Sequence, residues 1–165
     1  SHSAPLWLTQ MWWEELGAED ARSLLAACNE PAELAVTVNT RRASPDATIA
    51  LLREARVEAR APAASWPLSP PETVVLSGRA GGVVSRLVSS GELTPQSRGS
   101  AAVVEVLDPK PGEHVLDLCA GPGIKTGQIA ARMGDRGEVI SFELAPERAT
   151  EVADQAAGSV CAASP

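Results

Sequence analysis

Residues 113–126 combine an acid, a glycine-rich loop and a lysine in an order that suits a ligand-binding site. An apolar segment carries Asp117 and leads into the small residues from Cys119 to Gly123, after which comes Lys125. Glycines allow the main chain to approach a ligand closely, and the free N–H groups at a helix start attract a carboxylate or a phosphate. The order of buried strand, tight turn and helix start therefore predicts a pocket of the kind that holds nucleotides.

Three ligands fit a glycine loop of this kind to different degrees. A P-loop for ATP or GTP requires glycine directly before Lys-Ser/Thr, whereas Ile124 precedes Lys125 here. A dinucleotide loop for NAD or FAD requires a third glycine, and Thr126 occupies that position. The pattern apolar-Asp-apolar-x-x-Gly-x-Gly, which includes Gly121 and Gly123, resembles motif I of Rossmann-like methyltransferases. That resemblance implies S-adenosylmethionine as the ligand.

A second acid, Glu143, lies 20 residues after Gly123. The segment from Gly137 to Leu144 is typical of the next strand, and an acid at this distance can accept both ribose hydroxyls of an adenosine. NAD and S-adenosylmethionine share that ribose, so Glu143 does not separate them. A purely structural turn followed by a solvated strand end is the remaining alternative.

The motif around Asp117 extends into a longer match. Residues 117–126 read Asp-Leu-Cys-Ala-Gly-Pro-Gly-Ile-Lys-Thr and share eight of ten positions with the family motif Asp-Leu-Cys-Ala-Ala-Pro-Gly-Gly-Lys-Thr. Other matching segments lie at 5–8, 13–17, 24–31, 38–40, 94–96, 106–116, 133–139 and 146–148. Together they closely resemble the RNA cytosine-C5 methyltransferases of the Sun/Fmu type, a group that includes bacterial 16S rRNA enzymes and Nop2-related nucleolar proteins.

The resemblance implies a role for each residue of the predicted S-adenosylmethionine site. The loop that would cradle the methionine part of the donor consists of Cys119, Ala120, Gly121, Pro122 and Gly123, with Ile124 at the helix start. Lys125 would approach the donor carboxylate and Glu143 would hold the ribose. Arg148 matches a family arginine near the pocket, with a solvated helix residue as the alternative. Gly121 replaces a family alanine, with no expected consequence. Ile124 replaces a family glycine and would strain the loop if its φ had to be positive.

The resemblance assigns no catalytic residue to this sequence. The family uses one cysteine thiolate that attacks C6 of cytosine and a second cysteine that helps to release the product, in Pro-Cys and Thr-Cys motifs after the second strand. The sequence contains neither motif, and we expect its last cysteine, Cys161, to be a tail residue. These features predict an inactive fragment or a truncated or altered reading frame. The alternative is a non-catalytic RNA-binding or interaction module with a vestigial cofactor loop.

Composition limits the partners. The net charge of −7 argues against broad electrostatic capture of RNA. The RNA site that the resemblance implies, with rRNA as the expected partner, must then be local, such as Arg41–Arg42, or lie elsewhere. A solvated turn is the alternative for that arginine pair.

The three scattered cysteines give neither a disulfide framework nor metal-ligand spacing. The cysteine usage fits the reducing cytoplasm, and the absence of a long apolar run or a signal-peptide pattern predicts a soluble protein without a membrane partner.

The elements that would position these residues form an α/β fold. We predict a small RNA-binding-type module, helical and then α/β, over residues 1–92, and the start of a Rossmann-like class I methyltransferase domain over residues 93–165. Predicted helices span 5–16, 19–28, 45–55, 97–107 and 147–157, and predicted strands span 34–39, 57–60, 73–76 and 137–144, with a further strand that carries Asp117. Cys28 falls on an apolar helix stripe and is expected to pack in a core. Two parallel strands alone leave their faces uncovered, so we expect partial disorder or pairing through strand edges near the C-terminus.

Overall fold

The computed structural model describes residues 4–63, 68–78, 81–156 and 161–163. Two compact units divide the chain, one formed by residues 1–32 and the other by residues 33–165. None of the helices in these described ranges has the length and apolar character needed to cross a membrane.

The first unit contains one helix with a break. Helix α1 spans Leu6–Ala27, and Gly17 interrupts it with a φ of +80° and a ψ of 170°, so the two predicted helices are confirmed. Glycine adopts this left-handed conformation without a steric penalty. The Arg22 guanidinium lies 4.6 Å from the centroid of the Trp13 ring. Cys28 is exposed just after the helix, so the prediction of a core cysteine is wrong.

The second unit begins with a four-stranded antiparallel sheet in the order β2-β3-β1-β4. Its elements are β1 (Leu34–Val38), α2 (Pro45–Glu54), β2 (Glu58–Arg60), β3 (Thr73–Ser77), α3 (Gly82–Ser89) and β4 (Leu93–Pro95). The Ser44 side chain caps α2 by accepting a hydrogen bond from the Ala47 N–H at 3.2 Å, as its position before a proline predicts.

Helices α2 and α3 cover one face of this sheet. Val36 and Val38 of β1 and Val74 of β3 point into a core that also takes Leu52 of α2 and Leu87 of α3. All five side chains are buried. The alternation of these valines along the strands places them on the same face and explains why the sequence pattern identified the strands.

A second, parallel sheet follows in the order β5-β6-β7. Its elements are α4 (Arg98–Leu107), β5 (His114–Asp117), α5 (Ile124–Met133), β6 (Glu138–Ser141), α6 (Pro146–Ala156) and β7 (Cys161–Ala163). Cys161 therefore begins a third strand, and its expected place in a tail is wrong. Pairing with β6 gives the backbone of residues 161–163 hydrogen-bond partners that a tail of small residues lacks.

The helices α4 and α5 pack on one face of the parallel sheet. Val115 and Val139 contact Val104 of α4 and two residues of α5, Ile129 and Met133. Leu116 points to the other face because side chains alternate along a strand, and it is 55% exposed. Only one face of this sheet is covered by the described residues.

Two elements of the second unit were not predicted. Helix α3 begins at Gly82 and is only eight residues long, and β4 ends in Pro95, which has no N–H to donate to a sheet. Proline is tolerated in β4 because this strand lies at the edge of its sheet. The β4 strand pairs with β1 although it follows the predicted boundary at residue 92.

Candidate functional site

The predicted glycine loop connects the end of β5 to the start of α5, and Asp117 holds its two ends together. Its Oδ2 accepts a hydrogen bond from the Thr126 hydroxyl at 2.7 Å, and its Oδ1 accepts one from the Cys119 N–H at 3.3 Å. Thr126 is fully buried in the first turn of α5. The acid inside the apolar strand thus fixes the entry and exit of the loop.

Main-chain contacts set the shape of the loop. Ala120 is buried, and its N–H donates to the Phe142 carbonyl of the neighbouring strand's end at 3.0 Å. The Gly121–Pro122 peptide bond is cis, and Gly123 has a φ of +99° directly before α5. Glycine permits this left-handed turn, after which the N–H groups of the first helical turn have no partner within the helix. Such a turn can present main-chain donors to an anion.

Ile124 is the first residue of α5, so it has helical dihedral angles. The residue that needs a positive φ is its neighbour Gly123. The condition for strain at Ile124 is therefore not met, and this residue instead lines a cavity beside the loop. Lys125 follows in the same helical turn and is partly exposed.

Glu143 lies beyond the end of β6 and reaches back to the loop. Its Oε1 accepts the Ala145 N–H at 3.0 Å and its Oε2 accepts the Gly121 N–H at 2.9 Å. The Ala145 amide, followed by the Gly121 amide and the nearby Arg148 charge, holds the pKa of the Glu143 carboxyl below its usual range although desolvation opposes this. The structure brings the predicted residues Gly121, Glu143 and Arg148 together, with Glu143 ionised at neutral pH.

Gly121 has a role that the sequence did not reveal. A Cβ added at this position would lie 2.7 Å from Glu143 Cδ and 3.1 Å from Arg148 Cβ. The first distance is too short for real atoms, so a side chain at position 121 would oblige the flexible end of Glu143 to move from this place. The expectation that exchanging the family alanine for Gly121 is harmless stays a prediction, and the structure adds that this glycine leaves room for the Glu143 carboxylate beside the loop.

A buried polar chain was also missed because its members are distant in sequence. The Thr37 hydroxyl donates to Gln96 Oε1 at 2.7 Å, Gln96 Nε2 donates to Gln128 Oε1 at 3.0 Å, and Gln128 Nε2 donates to Glu72 Oε1 at 2.8 Å. Arg132 completes the chain through an ion pair with Glu72. These contacts join the antiparallel sheet to α5. A single glutamine or glutamate in a sequence gives no signal of such a partner.

The predicted arginine pair lies near this polar chain. Arg41 forms an ion pair with Asp135, in which Nε and Oδ2 are 2.6 Å apart. The Arg42 guanidinium donates through Nη1 to the Ser90 carbonyl at 2.6 Å, at the end of α3. Both arginines have defined contacts within the second unit and also line the cavity beside Ile124. The part of the chain that the structure describes holds no group of three or more histidine, cysteine or acidic residues that could bind a metal ion.

Two family profiles match the chain. A profile described as the ferredoxin-like domain of RsmF/B-like methyltransferases matches residues 4–68, and one described as 16S rRNA methyltransferase RsmB/F matches residues 104–161. The second range contains the glycine loop and Glu143. The first contains β1, α2 and β2.

Individual proteins show the same likeness. A probable ribosomal RNA small subunit methyltransferase B of Synechocystis is 30% identical over 139 residues, which is 84% of this chain and 30% of that protein. The human tRNA (cytosine(72)-C(5))-methyltransferase NSUN6 is 58% identical over 48 residues, which is 29% of this chain and 10% of that protein. The crystal structure of PH0851 superposes with a TM-score of 0.85 at 27% identity, over 98% of this chain and 36% of that one. The chain thus spans about a third or less of the length of these relatives.

Proposed function

We propose that this chain, which belongs to the RsmB/F family of methyltransferases, binds S-adenosylmethionine in its glycine loop as part of an enzyme that methylates C5 of cytosine in RNA. The relatives that match it are described as enzymes acting on ribosomal or transfer RNA, so RNA is the proposed partner and rRNA the first candidate. The cytoplasm is the proposed location.

The observation that carries the donor site is the placement of Glu143 beside the loop. Each oxygen of its carboxylate accepts one N–H, from Ala145 or Gly121. A carboxylate oxygen has a second lone pair, so both oxygens can also accept the hydroxyls of a ribose. Because the pKa of Glu143 lies below its usual range, the acceptor is ionised at neutral pH. The residues present therefore fit the ribose in the adenosine half of the donor.

The other half of the donor fits the start of α5. The main chain from Cys119 to Gly123 would cradle the methionine part, and the partial positive charge of the helix start together with Lys125 would attract its carboxylate. Arg148 lies near Glu143 and lowers the carboxyl pKa through its charge. When bound, S-adenosylmethionine supplies an electrophilic methyl group. The residues of this chain bind and orient it.

The proposal assigns no catalytic group to the 165 residues. The sequence contains no Pro-Cys or Thr-Cys pair, which the family uses for the nucleophile and for product release.

We propose that residues 1–92 contribute RNA binding and residues 93–165 contribute donor binding. Strand β4 connects the two parts through its pairing with β1. If this chain alone transferred labelled methyl groups to RNA, the nucleophile would have to lie within these 165 residues, and the proposal would be overturned on this point.

Calorimetric titration with S-adenosylmethionine tests the donor site. Gly123→Val places a β-branched residue at a φ of +99° in the loop and should abolish binding. Gly112→Val is the matched control, because Gly112 has a φ of +94°, has nothing within 4 Å of an added Cβ and precedes β5 outside the loop. Equal affinity of the two variants, or tighter binding of NAD or ATP than of S-adenosylmethionine, would contradict the proposal.

A further inference from the structure

We propose that a cavity of about 440 Å³ beside the donor loop binds one unpaired nucleotide of the RNA. The cavity lies between the end of β1, the turn that connects α3 to β4, and one side of α5. This inference rests on the proposed function, since it specifies how RNA would approach the donor. Its volume falls in the range of about 300–1,000 Å³ that is usual for ligand sites.

The charge that the cavity offers to a ligand comes from one arginine. The lining includes three arginines, Arg41, Arg42 and Arg132, against the single acid Glu72, although the chain has a net charge of −7. Arg132 is neutralised by Glu72 and Glu105, and Arg41 is paired with Asp135. Arg42 is then the lining arginine that no carboxylate of the described residues neutralises, and a local cation of this kind is what an acidic protein needs in order to attract a phosphate.

Arg42 is the cation best placed to bind a phosphate or a base. Its Nη1 donates to the Ser90 carbonyl, and its Cζ would lie 3.7 Å from a Cβ on Gly91, so the guanidinium rests against the main chain of this turn. Within the described ranges no carboxylate lies within 4.0 Å of its guanidinium. A fixed guanidinium plane can stack on an unpaired base or form paired hydrogen bonds to a phosphate.

The rest of the lining suits a base. Ile124 and Ala131 give an apolar wall on α5, while Asn39, Thr40 and Thr94 contribute polar groups on the opposite side. Asn39 is itself fixed, since its Nδ2 donates to the Gly91 carbonyl at 3.1 Å and its Oδ1 accepts the Arg41 N–H at 3.2 Å. A splayed base requires both an apolar surface and groups that hydrogen-bond to its edge.

The position of Ile124 favours RNA over a free metabolite. This residue lines the cavity and also follows Gly123 directly, so the cavity borders the predicted donor loop. A nucleotide bound here would hold its strand next to the methyl donor. In an RNA strand, one nucleotide bound in the cavity would bring a neighbouring nucleotide of the same strand to the donor. A free small molecule bound in the cavity would bring no second nucleotide with it.

The test uses the full 165-residue chain and a short, unstructured, fluorescein-labelled oligoribonucleotide, with affinity read by fluorescence anisotropy. Arg42→Glu should weaken binding about tenfold or more, corresponding to about 1.4 kcal/mol. Arg86→Glu is the matched control, because it makes the same charge change at an exposed site on α3 outside the cavity, and it should weaken binding about twofold or less.

A second variant separates loss of the contact from loss of the fold. Ala131→Phe fills the cavity from α5 without changing the charge, and it should also weaken binding about tenfold while circular dichroism shows a folded chain. The inference is overturned if Ala131→Phe binds like the unmodified chain, or if Arg42→Glu and Arg86→Glu behave alike.

Two further outcomes identify the ligand. Cytidine monophosphate should bind much more weakly than the oligoribonucleotide, and equal affinity would replace the RNA site by a free-nucleotide site. If the unmodified chain binds the oligoribonucleotide but the cavity variants have no effect, the cavity assignment fails and the RNA-binding part of the proposed function stands. If the unmodified chain binds no RNA, both fail, while the calorimetric test of the donor site remains independent.

Discussion

Arg132 holds Glu72 in a two-point ion pair, with Nε 2.8 Å from Oε1 and Nη2 3.0 Å from Oε2. Glu72 precedes β3 of the antiparallel sheet, and Arg132 lies in the last turn of α5. Glu72 is 3% exposed, so its charge is almost entirely removed from water. The pair therefore links the sheet to the helix that follows the glycine loop, and loss of Arg132 would leave the buried Glu72 charge without its ion-pair partner.

Replacement of Arg132 by methionine should lower the free energy of unfolding by about 3 kcal/mol, the range found when one partner of a buried ion pair is lost. Methionine keeps most of the side-chain length but leaves Glu72 unpaired. Arg136→Met is the control, because Arg136 is exposed and its loss should change stability by less than about 0.5 kcal/mol. Urea denaturation followed by circular dichroism measures both. Equal midpoints for the two variants would contradict a stabilising role for the pair.

Stability should decrease in acid because of Glu72. Burial raises the pKa of this carboxyl, but the hydrogen bonds from Arg132 and Gln128 outweigh it and hold the pKa below its usual range. A lowered pKa contributes stability that is present above the ordinary value of about 4.3 and is lost as the pH falls through the lowered value. Urea midpoints measured from neutral pH down to about pH 3 should therefore fall less steeply in Glu72→Gln, whose side chain does not titrate. Parallel curves would show that other carboxyls dominate.

Addition of a methyl group at Gly121 should displace Glu143. Gly121→Ala places a Cβ too close to the Glu143 carboxylate, so this side chain loses the Gly121 N–H and its pKa should move up toward the ordinary range. Carboxyl titration by NMR measures this shift. Gly99→Ala is the control, because an added Cβ in α4 meets nothing within 4 Å. An unchanged titration of Glu143 in Gly121→Ala would contradict the contact.

Local sequence signals were sufficient for most elements of the fold and for part of the site. Ser44 before Pro45 marked the start of α2, and Gly17 marked the break in α1, because each acts on its own neighbours. The tie between Asp117 and Thr126 lies within a single strand–loop–helix unit, so the loop was located correctly. The roles proposed for its residues in donor binding remain predictions.

Features that depend on distant residues were not predictable from the sequence. The pair of Glu72 with Arg132 spans 60 positions, and no periodicity connects such partners. The place of Glu143 near the loop, 22 positions from Gly121, was predictable because the two lie in successive strand–loop units. Strand β4 was missed because Pro95 is unfavourable in a strand until the sheet order places it at an edge. Cys161 was expected in a tail, but it begins strand β7. The strand forms by pairing with β6, and the residues around Cys161 give no local signal of that partner.

One face of the parallel sheet is not covered by any of the residues that the structure describes, and it should make the chain self-associate. Leu116 is the residue that tests this. It is 55% exposed on that face, while its neighbour Val115 packs against α4 and α5. Leu116→Thr keeps a good strand former but makes the face more polar, so it should lower the mass measured by sedimentation velocity at high concentration without lowering the melting temperature. Val115→Thr puts the same residue on the packed face and should instead destabilise the chain by about 1–3 kcal/mol, because it places a hydroxyl in an apolar contact.

If Leu116→Thr and the unmodified chain sediment alike at every concentration, association does not use this face. If Leu116→Thr melts as early as Val115→Thr, Leu116 is part of a core.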